Sequence, residues 1–255
     1  MDLHDPMDFE RKIYVKQFDP VSFRQELEYL PLGETIALGT ATDPYQPAER
    51  RYEHTRSILE VFAKTAGFRL GITTKSYLVA RDIDVLKEVA RRHYLSIHMT
   101  VTTMDRELAR LIEPLAPRPD LRIEGVRKLA RAGLRTRVSC SPVMPMINDT
   151  ELSIDAVAQA AARAGAGKFC WNVLFLKPCS KQVFLPFIGE QFPALSRRYK
   201  ERYGRAAYLR GAYPEMIRER VERIRRRYGL DRAGPEPEPE LWPRPAQIDL
   251  FDQAT

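Results

Sequence analysis

Five short β-rich runs end in polar or turn residues able to face a ligand. They deliver Thr40, Thr42 and Asp43, then Thr74, Lys75 and Ser76, then Thr102 and Thr103, then Ser141 and Pro142, and last Lys177. Hydroxyl, carboxylate and ammonium groups of this kind bind and orient a ligand; nothing marks one of them as a nucleophile. No Gly-rich phosphate loop and no nucleophile elbow occurs. His4, His54, His93 and His98 lack metal-ligand spacing such as H-x-x-x-H. His98 lies on a polar stripe, where a hydrogen-bonded interior histidine is the reading preferred over a ligand contact. Cys140, Cys170 and Cys179 are 30 and 9 residues apart and make neither a close cluster nor an even disulfide framework. The first two fall within predicted strands and read as small buried hydrophobes.

The elements that must position these residues alternate. Strands are predicted at 35–42, 69–75, 95–103, 135–143 and 168–176, with helical patterns between them, as in repeated βα units around a parallel sheet. An extended piece, RKIYVKQF, precedes a helix starting near Asp19-Pro20. Glycines in KTAG, RAG and ARAG sit where helices end and turn into the next strand. In LSIHMTVTT, Ser96, His98, Thr100 and Thr102 share one face, and Ile97, Met99 and Val101 the other. A parallel strand covered on both sides reads as a continuous apolar run. This alternation instead puts the apolar set under outer helices and the polar set in a barrel lumen open enough for a ligand. Asn148 and Asp149 read as an N-cap for the following helix.

A chain of 255 residues suffices for one sizeable core. With 44% hydrophobic and 29% charged residues it has the composition of a soluble globular protein. No apolar run approaches a membrane span, and the acidic start MDLHDPMDFE is no signal peptide, so the expected location is cytoplasmic. The +7 formal charge is concentrated: Ser196–Tyr228 holds eleven Arg, one Lys and four Glu. Two readings stand, a salt-bridged solvated helix face and a phosphate-attracting surface that binds DNA through the arginines of 197–227. Residues 231–246 are Pro- and Glu-rich without apolar periodicity, as in a flexible, extended linker. The expected organisation is a barrel over 1–185, a basic helical extension over 186–230 and a disordered tail over 231–255.

The run ALGTATDPYQPAER, with DFERKIYVK before it and ITTKS, MTVTTMD and SPVMPMIND after it, resembles the radical S-adenosylmethionine (SAM) proteins related to spore photoproduct lyase. Each motif alone is weak. Five in order, from Asp8 to Leu176, cover about two-thirds of the chain. The resemblance implies an α/β fold, a partial TIM-type (β/α) barrel. It implies a 4Fe-4S cluster on a C-x-x-x-C-x-x-C loop, and SAM chelated by the cluster and reductively cleaved to a radical with help from an electron donor. Matched residue by residue, Gly39, Thr40, Thr42 and Asp43 fall in the segment that meets the SAM amino group. Lys75 matches a lysine near the SAM carboxylate, and Thr100 a hydroxyl that contacts SAM. Read without the resemblance, Lys75 is a surface charge and Thr100 a backbone-bonding hydroxyl.

One departure matters. In the family the cysteine loop precedes the DFERKIYVK-like segment, whereas here seven residues precede Asp8 and none is cysteine. The first barrel strand and the loop are therefore missing from the expected fold, and the sequence as it stands supports no radical chemistry. Two explanations compete: a native product whose loop lies before Met1, which the intact helices and rim motifs favour, and a cluster-free remnant. The implied activity, a lyase-like radical SAM enzyme acting on DNA lesions, competes with a non-catalytic nucleic-acid or clamp-binding adaptor. The tail Gln247–Phe251, QIDLF, resembles the peptide by which bacterial replication and repair proteins dock on the sliding clamp. The other reading of the tail is a segment that folds back and caps the barrel.

Overall fold

The computed structural model describes residues 14–231 and 237–243. Its sheet consists of β1 (Thr35–Leu38), β2 (Arg69–Thr74), β3 (Tyr94–Thr100), β4 (Thr136–Val143) and β5 (Lys168–Val173). The strands pair in chain order, every pair parallel. A doubly wound sheet reverses its order at a switch point. An order that never reverses puts all crossover helices on one face, and the sheet curls as a barrel wall. This is the expected partial (β/α) barrel. β1 is its edge, only four residues long, and no described strand pairs with its outer side.

Helix α1 (Pro20–Glu28) precedes β1; the crossovers are α2 (Glu49–Tyr52) with α3 (His54–Phe62), a 3₁₀ turn (Tyr77–Asp82) leading into α4 (Ile83–Arg92), α5 (Arg106–Ile112) with α6 (Pro119–Arg131), and α7 (Glu151–Arg163). Helix α1 starts as expected: the Asp19 carboxylate accepts from the backbone of Val21 and Ser22 at 3.0 and 3.4 Å. The N-cap expected at Asn148 or Asp149 is instead Thr150, whose hydroxyl accepts from Ser153 N at 3.2 Å. The two preceding side chains are drawn into other contacts, Asn148 with Thr102 and Pro142 and Asp149 with Tyr213. Two of the helix-ending glycines, Gly133 and Gly165, take φ +81° and +86°, where a side chain would be strained.

Ile97, Met99 and Val101 are fully buried under these helices. Each such side chain contributes about 1.5–3 kcal/mol by leaving water. The opposite face is polar across the sheet. Thr73, His98, Arg137 and Lys168 stand side by side on four strands, with Thr100, Ser139 and Cys170 one level above. Burial first, then the charges of Arg137 and Lys168, hold His98 below its ordinary pKa, and its ring meets Ser96 Oγ at 3.2 Å.

After β5 come α8 (Pro178–Gln191), α9 (Pro193–Tyr203) and α10 (Ala212–Tyr228). The boundary expected between 185 and 186 lies inside α8. Helices α8 and α9 enclose a second apolar cluster around Met144, Leu174, Leu176, Ile188, Tyr199 and Tyr203. Helix α10 packs instead on α7 and β5, and its Ile217, Val221 and Ile224 join the main core. Much of the basic run is ion-paired: Arg223 and Arg227 reach Glu151, Arg227 also Asp155, Arg225 Glu222, Arg218 Glu215 and Arg197 Glu201.

Within the segment expected to be a flexible linker, residues 237–243 pack against the protein. Leu241 N donates to Arg91 O at 2.7 Å, Glu240 pairs with Arg91 at 2.9 Å, and the Trp242 ring meets Tyr94 edge-on at 4.7 Å. A proline-stiffened segment has little conformational entropy to lose, so a few contacts hold it. Gln247–Phe251 lie outside the described residues.

Candidate functional site

The parallel strands end on one rim, and Asp43 joins its first two loops. Its Oδ1 accepts from the Thr74 hydroxyl at 2.6 Å and from Tyr45 N at 2.9 Å, and its Oδ2 from Lys75 N at 2.8 Å. A carboxylate has about four acceptor sites, so one is left for a ligand. Gly39 opens this loop at φ +95°, and a Cβ there would lie 2.2 Å from Thr73 O. Only glycine lets the loop pass so close to β2. Below the loop, buried Glu49 accepts from Thr55 N at 3.1 Å and from Arg81 at 3.1 Å, and Arg81 also grips fully buried Asp82 at 2.8 Å. Neutralised and hydrogen-bonded in this way, the buried carboxylates fix the backbone that carries Asp43.

A cleft of about 650 Å³ opens beside β1, lined by Leu38, Gly39, Thr42 and Asp43 together with Tyr14 and Phe18. His54, also on its wall, has a buried Nε2 with no hydrogen-bond partner, an unfilled polar position at the cleft.

Further along the rim, Lys75 Nζ lies 2.7 Å from Glu113 Oε1, to which the Thr102 hydroxyl also donates at 3.2 Å. Arg122, 1% exposed, reaches Glu113 Oε2 at 2.8 Å as an ion pair without hydrogen-bond alignment, and donates to Thr100 O at 3.1 Å. Burial pushes the Glu113 carboxyl up, but Lys75 and then Arg122 outweigh it and hold the group below its ordinary value. Asn148, fully buried, ties the ends of β3 and β4 together by donating to Thr102 O at 2.9 Å and Pro142 O at 3.1 Å. Next to it, Asp149 accepts from the Tyr213 hydroxyl at 2.8 Å, which anchors α10 to the rim.

Gly39, Thr42 and Asp43 thus line one cleft, Asp43 holds the Lys75 backbone, and Lys75 reaches Thr100 through Glu113 and Arg122. Thr40 stands exposed on the loop and takes no part in these contacts. Sequence reasoning missed Glu113 and Arg122, and read Asn148 as a helix cap rather than a rim residue. Only Arg122 carried a legible signal: it falls on the i, i+4, i+7 stripe with Val126 and Leu129, a charge among core positions.

The profile described as the Radical SAM superfamily matches residues 8–156. This chain belongs to the radical SAM superfamily. The radical SAM chain is 34% identical over 254 residues to an uncharacterized protein of Mycobacterium tuberculosis strain H37Rv, covering 98% of this chain and 74% of that one. An uncharacterized protein of Methanocaldococcus jannaschii is 32% identical over 119 residues, 47% of this chain and 44% of that one. Among solved structures, a spore photoproduct lyase variant superposes with TM-score 0.61 at 17% identity, covering 81% of this chain and 62% of that one. Another variant of that lyase, solved with AdoMet and a dinucleoside spore photoproduct bound, superposes with TM-score 0.53 at 17% identity, covering 81% and 61%. At such identities the likeness concerns the fold alone.

The superfamily implies SAM and a 4Fe-4S cluster, and the two fare differently here. The rim offers a glycine-walled cleft, an acceptor site on Asp43 and the Lys75 ammonium, groups that suit an amino acid's charged end. The cysteines do not suit a cluster. Cys140 is buried and its thiol pushed up to about 12, far from the thiolate a ligand must be. Cys170 belongs to the sheet's polar face, and Cys179 to the exposed start of α8. Among the described residues no group of three His, Cys, Asp or Glu side chains can hold a metal ion, and no helix is long and apolar enough to cross a membrane.

Proposed function

We propose that this chain supplies the SAM-holding wall of a radical SAM protein, and that its 255 residues bind SAM without cleaving it. SAM, when bound to a reduced cluster in this superfamily, supplies a carbon radical that abstracts hydrogen. In this chain Asp43 and the loop opened by Gly39 receive the amino group, and Thr42 lines the same cleft. Lys75 turns from Glu113 to the ligand carboxylate. That turn costs little, because Lys75 is 42% exposed and Glu113 keeps Arg122 as its counter-ion. Thr100, one layer down, faces the same lumen. The observation that carries the reading is the Asp43 junction, which brings the cleft-lining loop and Lys75 to one point of the rim.

Equilibrium dialysis with labelled SAM tests it. Binding is expected to weaken about tenfold in Lys75→Ala, the loss of one charge-assisted contact. Unaltered binding in both Lys75→Ala and Asp43→Asn ends the proposal. Anaerobic iron–sulfide reconstitution of the same chain is expected to give no 4Fe-4S spectrum, and a chain lengthened to carry C-x-x-x-C-x-x-C to give one.

The scattered cysteines also favour a second reading, a non-catalytic adaptor for nucleic acid or the sliding clamp. Clamp docking by Gln247–Phe251 is tested by peptide binding with Leu250 and Phe251 changed to Ala; undiminished binding of the changed peptide retires it.

A further inference from the structure

Where the chain leaves β5, Leu174 and Leu176 turn into the second apolar cluster while Phe175 between them stays outside. Its ring stacks on Tyr208, centroids 5.2 Å apart and planes 18° apart, with the two residues 44% and 55% exposed. Tyr208 belongs to the α9–α10 connection, which is held to the β5 exit by Leu176 N donating to Ala207 O at 2.8 Å, Tyr203 OH to Leu174 O at 2.9 Å and Lys181 Nζ to Gly204 O at 3.3 Å. An exposed aromatic pair on so well-anchored a support is a preformed flat surface. The two segments that carry the pair bear charge of one sign. Segments 174–181 and 204–214 contain Lys177, Lys181, Arg205 and Arg210 and no Asp or Glu. No ion pair among the described residues engages Lys177, Arg205 or Arg210, in contrast to the paired arginines of α10.

We infer that Phe175 and Tyr208 form a stacking platform for an unpaired nucleobase, and that Lys177, Arg205 and Arg210 take the flanking phosphates, so that this face of the rim binds single-stranded nucleic acid. Every base has a π-face that stacks on an aromatic ring, and phosphates supply the anions this patch lacks. In a duplex those faces are already covered by neighbouring bases, so the platform selects single strands. The inference places nucleic acid on the β5 exit rather than on the Arg-rich helix, and it does not depend on SAM binding.

Fluorescence anisotropy of the full chain with labelled 12-mers of dT and rU, a matched duplex, and polyglutamate as a competitor tests it. The single strands are expected to bind more tightly than the duplex, and the ratio of dT to rU separates a DNA from an RNA preference. The double change Phe175→Ala and Tyr208→Ala is expected to weaken dT binding about fivefold or more, while Phe175→Tyr with Tyr208→Phe retains it. Replacing Lys177, Arg205 and Arg210 together by Ala is expected to reduce the slope of log affinity against log salt by about 2. Equal affinity for strand and duplex, displacement by polyglutamate at equal charge, unchanged binding in the double variant, or no binding by the unaltered chain overturns the inference. Circular dichroism of each variant separates a lost platform from a lost fold.

Discussion

Glu113 concentrates the electrostatics of the rim, because its two cations differ in exposure. Arg122 is 1% exposed and Lys75 42% exposed. Removing the carboxylate leaves a guanidinium buried without its partner, so Glu113→Gln is expected to destabilise the protein by about 3–5 kcal/mol. Lys75→Met, at a half-exposed pair, is expected to cost about 0–1 kcal/mol. Urea midpoints of the two variants check the pair, and similar losses would contradict this division. The pH dependence has two windows with the same sign. His93 accepts from Phe68 N through Nδ1 at 3.1 Å while Nε2 lies 2.8 Å from Phe62 O. Only the neutral ring satisfies both, and burial holds it below its ordinary 6.5. Its contribution is present above 6.5 and lost as pH falls through its lower folded value. Glu113, also depressed, acts in the same direction below 4.5. Stability is therefore expected to fall in two stages on acidification. His93→Gln, which keeps a donor and an acceptor, is expected to reduce the first stage in urea titrations between pH 7 and 5.

The elements were legible because their periods differ. Alternation in LSIHMTVTT put Ile97, Met99 and Val101 under helices, and all three are buried. Ile97→Ala is accordingly expected to cost about 2–5 kcal/mol in the same urea assay. Strand ends were legible less well: runs read to 42, 103 and 176 end as regular strands at 38, 100 and 173. Val101, Thr102 and Thr103 are β-prone by type, but Thr102 serves the rim, where its hydroxyl meets Glu113. The same holds for Asn148, a reasonable N-cap by local rules that instead bridges two strand exits. Long-range partners of that kind leave no local pattern, whereas Arg122 on an apolar stripe does. Gly39 lies between the two cases, a turn signal in sequence and an obligatory close approach in space. Gly39→Ala is expected to cost about 1–3 kcal/mol of backbone strain and to weaken SAM binding in dialysis.

At the scale of the whole molecule, chain rather than strand covers part of the far end of the barrel wall. Residues 237–243 cross the starts of β2 and β3, where Trp242 covers Tyr94 and Arg69 stacks on the same ring at 4.3 Å. Trp242→Ala is expected to lower stability by about 1 kcal/mol or more through lost ring contact and apolar burial, read as a lower melting temperature. That end is opposite the rim, so SAM affinity is expected to stay unchanged. The edge beside β1 has no such cover among the described strands, and the cleft carrying the proposed function lies there. Hydrogen–deuterium exchange of the chain with and without SAM probes the rim itself. Slowed exchange is expected in residues 39–45 and 74–78, with 237–243 unaffected. Identical exchange of both rim segments at saturating SAM would contradict the proposed SAM site.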